Sequence, residues 1–252
     1  LKRAIALMRL GNFKEAQAEA EDVRDFIERL NVPELQAQLY LVLTELCFWT
    51  GRNTEGFNLG SRGLVLARQV NDEECVRYMM FYLAWCRVRI TPISESLTLF
   101  QQIVELSKQA GDISLQARSM STLGNLLHIT GQWRKGRSHI EEAHHLAKFA
   151  SDPFAQCQVL LFSTWSLDFE NNLSKVKELA DEGIKISHNY GWRNWEGYQY
   201  YVLGRSYLRS AEPNFELAQE MLSRSFSIMH ETYDKMGQLT VSKELAKLEL
   251  IT

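Results

Sequence analysis

The chain has 252 residues, and its formal net charge of −3 at pH 7 makes it mildly acidic. Hydrophobic residues make up 45% and charged residues 23% of the chain, which is typical of a folded, soluble protein. The acidity gives no electrostatic reason to expect nucleic-acid binding, and the sequence contains neither a signal peptide nor an apolar run long enough to span a membrane. The four cysteines form no CxxC pair, which favours reduced, buried thiols in a cytoplasmic protein.

Turn-like sites recur along the chain at intervals of about 40 residues. Each lies between two stretches with the apolar periodicity of a helix. A repeat of this length built from helix pairs is typical of a solenoid, in which each pair packs on its neighbours. The sequence therefore predicts an all-α solenoid of about six antiparallel helix pairs followed by a C-terminal helix. The turn-like sites are Gly11, Gly51, Thr91, Gly131, Asn171 and, slightly shifted, Ala211.

The repeat also sets the expected domain organisation, which is a single solenoid over residues 1–252. The chain begins with Leu1, inside a stretch with the pattern of a helix, so we expect it to be a fragment of a larger protein. The predicted units are 1–32, 33–72, 73–112, 113–152, 153–192 and 193–234, and residues 235–252 form the terminal helix.

The fourth unit carries the clearest signature. Gly124 and Gly136 let the paired helices approach closely, and the large residues around them are spaced by three, four and seven. The pattern Leu123, Gly124, Leu127, Gly131, Trp133, Gly136, Ile140 and Ala143 resembles the tetratricopeptide repeat (TPR). The repeats are longer than the usual 34 residues or so, and in this they resemble the TPR region of maltose-regulator-type transcription activators and related signalling ATPases. The resemblance implies a right-handed solenoid that acts as a sensor or docking region beside other domains.

In a TPR array the first helix of each pair lines the concave groove, so the resemblance also identifies candidate binding residues. The groove positions are rich in aromatic residues and arginine, the residue types that anchor interfaces. Alternatively, curvature packs the aromatic rings against each other and pairs the arginines with nearby acids. The same positions include Gln158, Asp168, Tyr198 and Arg209. The candidate partner-binding residues are Trp49, Tyr78, Phe81, Trp85, Arg89, Arg118, Asn125, His128, Trp165, Phe169, Tyr201 and Arg205.

No motif predicts catalysis, a metal site or a cofactor. Residues Gly131 to Ser138 nearly match a phosphate-binding loop, but they follow an amphipathic helix rather than a buried strand, and the repeat already explains both glycines. The histidines have no zinc-ligand spacing, which favours surface or interhelix positions. Asn125 matches one residue of the carboxylate clamp that binds chaperone tails, whereas Ser121 replaces a required lysine.

We therefore expect a non-catalytic TPR domain for protein interaction or ligand sensing within a larger signalling or regulatory protein. Its partner would be a protein or peptide segment, or a small-molecule effector, and we expect no nucleic acid or membrane contact by this segment. One alternative is a stand-alone peptide-sensing transcriptional regulator. Another is the helical regulatory region of a cyclase, kinase or protease fusion. A purely architectural scaffold is a further possibility, and the sequence carries no signal that sets the oligomeric state.

Overall fold

A computed structural model describes residues 1–170 and 172–251, with residue 169 described by its backbone alone. Within these residues the chain is all α, without a strand, as the sequence predicts. The predicted turn site Asn171 lies outside the described residues. The helices are α1 (Lys2–Arg9), α2 (Phe13–Asp22), α3 (Arg24–Leu30), α4 (Pro33–Trp49), α5 (Asn53–Gln69), α6 (Glu73–Val88), α7 (Ile93–Gln109), α8 (Ile113–Ile129), α9 (Trp133–Ala150), α10 (Pro153–Phe169), α11 (Leu173–Asn189), α12 (Arg193–Arg209), α13 (Phe215–Glu231) and α14 (Lys235–Glu249).

The helix ends are regularly spaced, because most helices are followed by a residue with a left-handed backbone that ends the helix. Gly131 ends α8 with φ of 82°, and the two amides that close this turn bond to His128 and Leu127 carbonyls at 3.0 and 2.8 Å. Thr91 does not adopt this conformation, and Pro92 instead leads the chain into α7 with φ of −55°. The other left-handed residues are Gly11, Asn31, Gly51, Asn71, Gly111, Ser151, Gly191 and Tyr233.

The described residues fall into two compact units, Leu1–Asp112 (unit 1) and Ile113–Thr252 (unit 2). In unit 1 the pairs α4/α5 and α6/α7 pack in sequence, α4 lies beside α6, and α1 pairs with α2. The second helix of the first pair is interrupted at Val23, which separates α2 from α3. In unit 2 the pairs α8/α9, α10/α11 and α12/α13 pack in the same way, and α14 covers parts of α12 and α13. This arrangement of consecutive antiparallel pairs confirms the predicted all-α TPR-like solenoid.

Close helix contacts explain the small residues of the repeat. A Cβ atom on Gly124 would lie 2.6 Å from Cγ1 of Ile140 and 2.7 Å from the carbonyl oxygen of Gly136. Real side chains do not tolerate such distances, so only glycine allows α8 and α9 to pack this closely. The near match to a phosphate-binding loop spans this region, where it forms the turn after α8 and the first third of α9. Both glycines of that stretch therefore have structural roles.

Among the described residues, no helix is long and apolar enough to cross a bilayer. The four cysteines, Cys47, Cys75, Cys86 and Cys157, are free and buried. Burial raises the pKa of Cys47 and Cys86 to about 12, so their thiols stay protonated at neutral pH.

Candidate functional site

The repeat places the predicted groove residues on the first helices of the pairs, α4 and α6 in unit 1 and α8, α10 and α12 in unit 2. These five helices begin 40 residues apart, from Pro33 to Arg193. Residues separated by 40 positions therefore occupy equivalent places on successive first helices. Asn125, Trp165 and Arg205 form such a series in unit 2. The two units use these places differently.

In unit 1 the predicted groove aromatics belong to the hydrophobic core. The rings of Phe13 and Trp49 stack with their centroids 5.3 Å apart, and Phe48 meets Trp85 at 5.2 Å. Phe81 lies 6.5 Å from Trp85 and is only 1% exposed. Such buried ring contacts contribute to stability beyond the area that they remove from water. These three predicted residues, Trp49, Phe81 and Trp85, therefore pack as the alternative interpretation expects, whereas Tyr78 is half-buried and Arg89 is exposed.

In unit 2 the corresponding face carries a buried charged cluster. The Asp168 carboxylate lies 2.8 Å from Nε of Arg205 and 3.1 Å from Nη1 of Arg209, and its side chain is 1% exposed. The Ser206 hydroxyl donates a hydrogen bond to the same carboxylate. Nη1 of Arg205 also donates to the Tyr201 hydroxyl at 3.3 Å, and the burial of that tyrosine raises its pKa. Because two guanidinium groups face one carboxylate, the cluster retains a net positive charge.

A second polar group joins α8 to α10. Nε of Arg118 donates to Oε1 of Gln158 at 2.8 Å, and Nε2 of Gln158 donates to the Arg118 carbonyl at 3.2 Å. The Arg118 guanidinium also lies 4.9 Å from the ring centroid of Phe154. These contacts hold the two long side chains in fixed positions. Arg118 is a predicted partner-binding residue, and Gln158 occupies a predicted groove position.

His128 is buried near the C-terminal end of α8. Burial lowers its pKa below the ordinary value of 6.5, so the ring is neutral at pH 7. The Ser166 hydroxyl lies 3.1 Å from Nδ1 and 3.3 Å from Nε2. The hydroxyl is therefore not directed at one nitrogen, as a nucleophile would be directed at its general base. This contact serves packing between α8 and α10 better than it serves catalysis.

Asn125 and Trp165 each present a buried polar atom without a hydrogen-bond partner among the described residues. These atoms are Oδ1 of Asn125 and Nε1 of Trp165. The Trp165 ring is held by edge contacts with Phe162 at 5.3 Å and with Tyr198 and Tyr201 at 6.4 Å. Most buried polar groups in proteins have partners, so these two atoms need an explanation. An acceptor and a donor at equivalent places of adjacent helices can both bond to one polar ligand.

We name this group of side chains the polar first-helix face of unit 2. Most of them are buried, Trp165 and Arg205 are half-buried, and Arg209 is exposed. No group of His, Cys, Asp and Glu within the described residues is arranged to hold a metal ion. The face offers hydrogen bonding, aromatic contact and positive charge, which are means of recognition. It consists of Arg118, Asn125, His128, Trp165, Asp168, Tyr201, Arg205 and Arg209.

The structure brings six of the predicted residues together on this face, and it adds their partners. Phe169 was also predicted, and its side chain lies outside the described residues. Asp168 and Arg209 occupy predicted groove positions of adjacent repeats. Their spacing could therefore have been used to predict the ion pair between them. Ser166 and Ser206 lie outside the groove positions, and nothing in the repeat pattern marks them as hydrogen-bond partners.

Comparison with solved structures identifies the fold. The chain superposes on a Rap protein solved in complex with competence and sporulation factor, with a TM-score of 0.71 and 14% identity over 98% of this chain and 73% of that one. It superposes on the apo form of RapI with a TM-score of 0.67 and 13% identity over 97% of both chains. A signal transduction ATPase with a tetratricopeptide repeat sensor, from Pyrococcus horikoshii, matches with a TM-score of 0.59 and 14% identity over 99% of this chain and 41% of that one.

At these low identities the superpositions show the fold alone, which is a TPR-like helical repeat. No protein-family model and no curated protein sequence matches the chain.

Proposed function

We propose that this chain is a non-catalytic TPR-like recognition domain that binds a peptide or protein segment on the polar first-helix face of unit 2. A small-molecule effector with similar hydrogen-bonding groups would use the same face. In this proposal the domain belongs to a larger signalling or regulatory protein, in which any catalytic activity resides elsewhere.

The observation that carries the proposal is the pair of unpartnered polar atoms on α8 and α10. Oδ1 of Asn125 accepts hydrogen bonds and Nε1 of Trp165 donates them, and both are buried without a partner among the described residues. An extended peptide carries alternating backbone donors and acceptors, so it supplies both kinds of partner. Equivalent places on packed helices are about 8–10 Å apart, which matches the length of about three residues of extended chain.

The charge and the aromatic side chains of this face further limit the kind of partner that it can bind. The cluster of Asp168, Arg205 and Arg209 is positive overall, and Arg209 is 42% exposed, so it can also reach a ligand. Trp165 and Tyr201 supply rigid aromatic area beside it. A segment with a carboxylate next to an apolar residue fits this combination best.

The structural neighbours support recognition rather than catalysis, since one was solved with a bound factor and another carries a TPR sensor. A solenoid can transmit such binding because each helix pair touches only its neighbours, so small changes at each interface add into a change of curvature. A ligand that prefers one curvature would shift the balance between states of an attached domain.

The test begins with a library of synthetic peptides of five to ten residues, screened by thermal shift against the whole chain. For the tightest binder, we expect Trp165→Phe to weaken the affinity about tenfold, because the ring remains while one ligand hydrogen bond is lost. Trp85→Phe is the matched control, since this tryptophan occupies the equivalent place in unit 1, where it packs against Phe48 and Phe100. Peptide binding that Trp165→Phe leaves unchanged would place the site elsewhere.

A further inference from the structure

A second surface of unit 2 lies at the turns that join first helices to second helices. It adjoins the polar first-helix face where the rings of Trp133 and His128 meet with their centroids 5.5 Å apart. The first turns of α9 and α11 contain no acidic residue, and α9 also has no side-chain N-cap. Instead, Arg134, Lys135 and Arg137 follow the start of α9, and Lys175 and Lys177 follow the start of α11. We name these five residues the basic turn edge.

The other second helices provide an internal comparison. The first turns of α2, α5, α7 and α13 each contain a glutamate, namely Glu15, Glu55, Glu95 and Glu216. An acid is favourable there and a cation is unfavourable, because the start of a helix carries partial positive charge. The basic turn edge therefore departs from the pattern of its own repeat at a cost to stability. Departures of this kind are expected where function requires them.

The edge is accessible and only partly neutralised. Arg137 pairs with Glu170 at 2.6 Å and Lys175 pairs with Glu178 at 2.6 Å. In the described part of the chain, Arg134 and Lys135 have no carboxylate partner. The paired residues Arg137, Glu170 and Lys175 lie at one end of an open cleft of about 430 Å³ between α9, α10 and α11.

Apolar groups adjoin these charges. Trp133 is 50% exposed and Ile129, across the turn from it, is 51% exposed. Phe13 occupies the position of Trp133 in the first helix pair, and Phe13 is fully buried. Exposed tryptophan beside arginine is the combination that most often anchors a protein partner.

We propose that the basic turn edge docks an acidic protein segment that also carries an apolar side chain. The cations attract the acidic residues, and Trp133 with Ile129 covers the apolar one. A nucleic-acid backbone offers the same negative charge, but it supplies no aliphatic side chain for the exposed Trp133 and Ile129 to cover.

The probe is a fluorescein-labelled peptide of alternating glutamate and aspartate with one central leucine, titrated with the whole chain in fluorescence polarisation at low salt. We expect Arg134→Glu with Lys135→Glu to weaken binding at least tenfold, and Trp133→Ala to weaken it severalfold. The matched control is Lys2→Glu with Lys14→Glu, which makes the same change of charge in unit 1. Lys14 occupies the position of Arg134 in the first pair, and we expect the control to change binding less than twofold.

Thermal unfolding separates this role from a structural one. The variant with Arg134→Glu and Lys135→Glu should have the same Tm as the wild type or a higher one, because glutamate is favourable at the start of a helix. The proposal is overturned if the acidic peptide does not bind, or if both double variants weaken it equally. It is also overturned if single-stranded DNA of matched length binds more tightly and loses its affinity in the same edge variant.

Discussion

The buried carboxylate of Asp168 gives the most quantitative prediction. It faces Arg205 at 2.8 Å and Arg209 at 3.1 Å, and the exposures of these two arginine side chains differ, at 12% and 42%. Asp168→Asn keeps the shape of the side chain and the hydrogen bond with Ser206, but it removes the charge. Arg205 would then remain nearly buried without the carboxylate that faces it at 2.8 Å, and Glu244 would act on it from elsewhere.

Removing one partner of a buried ion pair costs about 3–5 kcal/mol, and the partial exposure of Arg205 favours the lower end of that range. For a unit of this size, about 3 kcal/mol corresponds to a fall in Tm of roughly 10 °C. Arg209→Gln removes a more exposed partner, for which about 0–1 kcal/mol is expected. The two substitutions should therefore differ in their effect on the free energy of unfolding by at least about 2 kcal/mol.

The assay is urea unfolding followed by far-ultraviolet circular dichroism, with the m-value compared between variants to verify that the same transition is measured. Asp168→Ala should cost at least as much as Asp168→Asn, since it also leaves the Ser206 hydroxyl without its acceptor. The reasoning is refuted if Asp168→Asn costs less than about 1 kcal/mol, or if Arg209→Gln costs as much as Asp168→Asn.

Three further predictions concern other buried groups. Because burial lowers the pKa of His128, the unfolded chain binds more protons than the folded chain just below pH 6.5, and the stability falls as the pH drops through this range. Urea unfolding at pH 7.5 and 5.5 should therefore show a smaller loss of unfolding free energy for His128→Gln than for the wild type. Part of the pH-dependent loss of stability should remain in His128→Gln, because burial also lowers the pKa of His139 and His144. Gln199 is fully buried with both amide atoms unpartnered among the described residues, so Gln199→Met should raise the free energy of unfolding by about 1–3 kcal/mol, and a loss would contradict this. A thiol reagent at pH 8 should label none of the four cysteines in the folded chain and all of them in urea, because the thiols are buried. Rapid labelling of the folded chain would contradict this burial. The cysteines are Cys47, Cys75, Cys86 and Cys157.

Much of the fold follows from local sequence. The turns of the repeat were recognisable because glycine and asparagine readily adopt the left-handed backbone that ends a helix, as at Gly51 and Asn71. The interruption at Val23 was not predictable in this way, because no glycine or proline marks it. Helix ends set by backbone preference can be predicted from one sequence, whereas the interruption at Val23 carries no such local signal.

The site was less predictable than the fold, as two tryptophans at equivalent places illustrate. Trp85 packs against Phe48 and Phe100, and it belongs to the core of unit 1. Trp165 lies 80 residues further along, yet two of its three ring neighbours are tyrosines and its Nε1 has no partner among the described residues. The repeat pattern gives the direction of a side chain, but its accessibility depends on residues of neighbouring helices that the pattern leaves free.

The most direct test of recognition by the polar first-helix face is a paired measurement on Asn125→Leu. The stability of the unliganded chain and its affinity for the tightest library peptide should be measured on the same preparation. We expect the free energy of unfolding to stay constant or to rise by about 1 kcal/mol, because an unpartnered buried acceptor is removed, while the affinity falls at least tenfold. An affinity equal to that of the wild type would contradict the proposed role of this face, as would a loss of affinity that only accompanies unfolding.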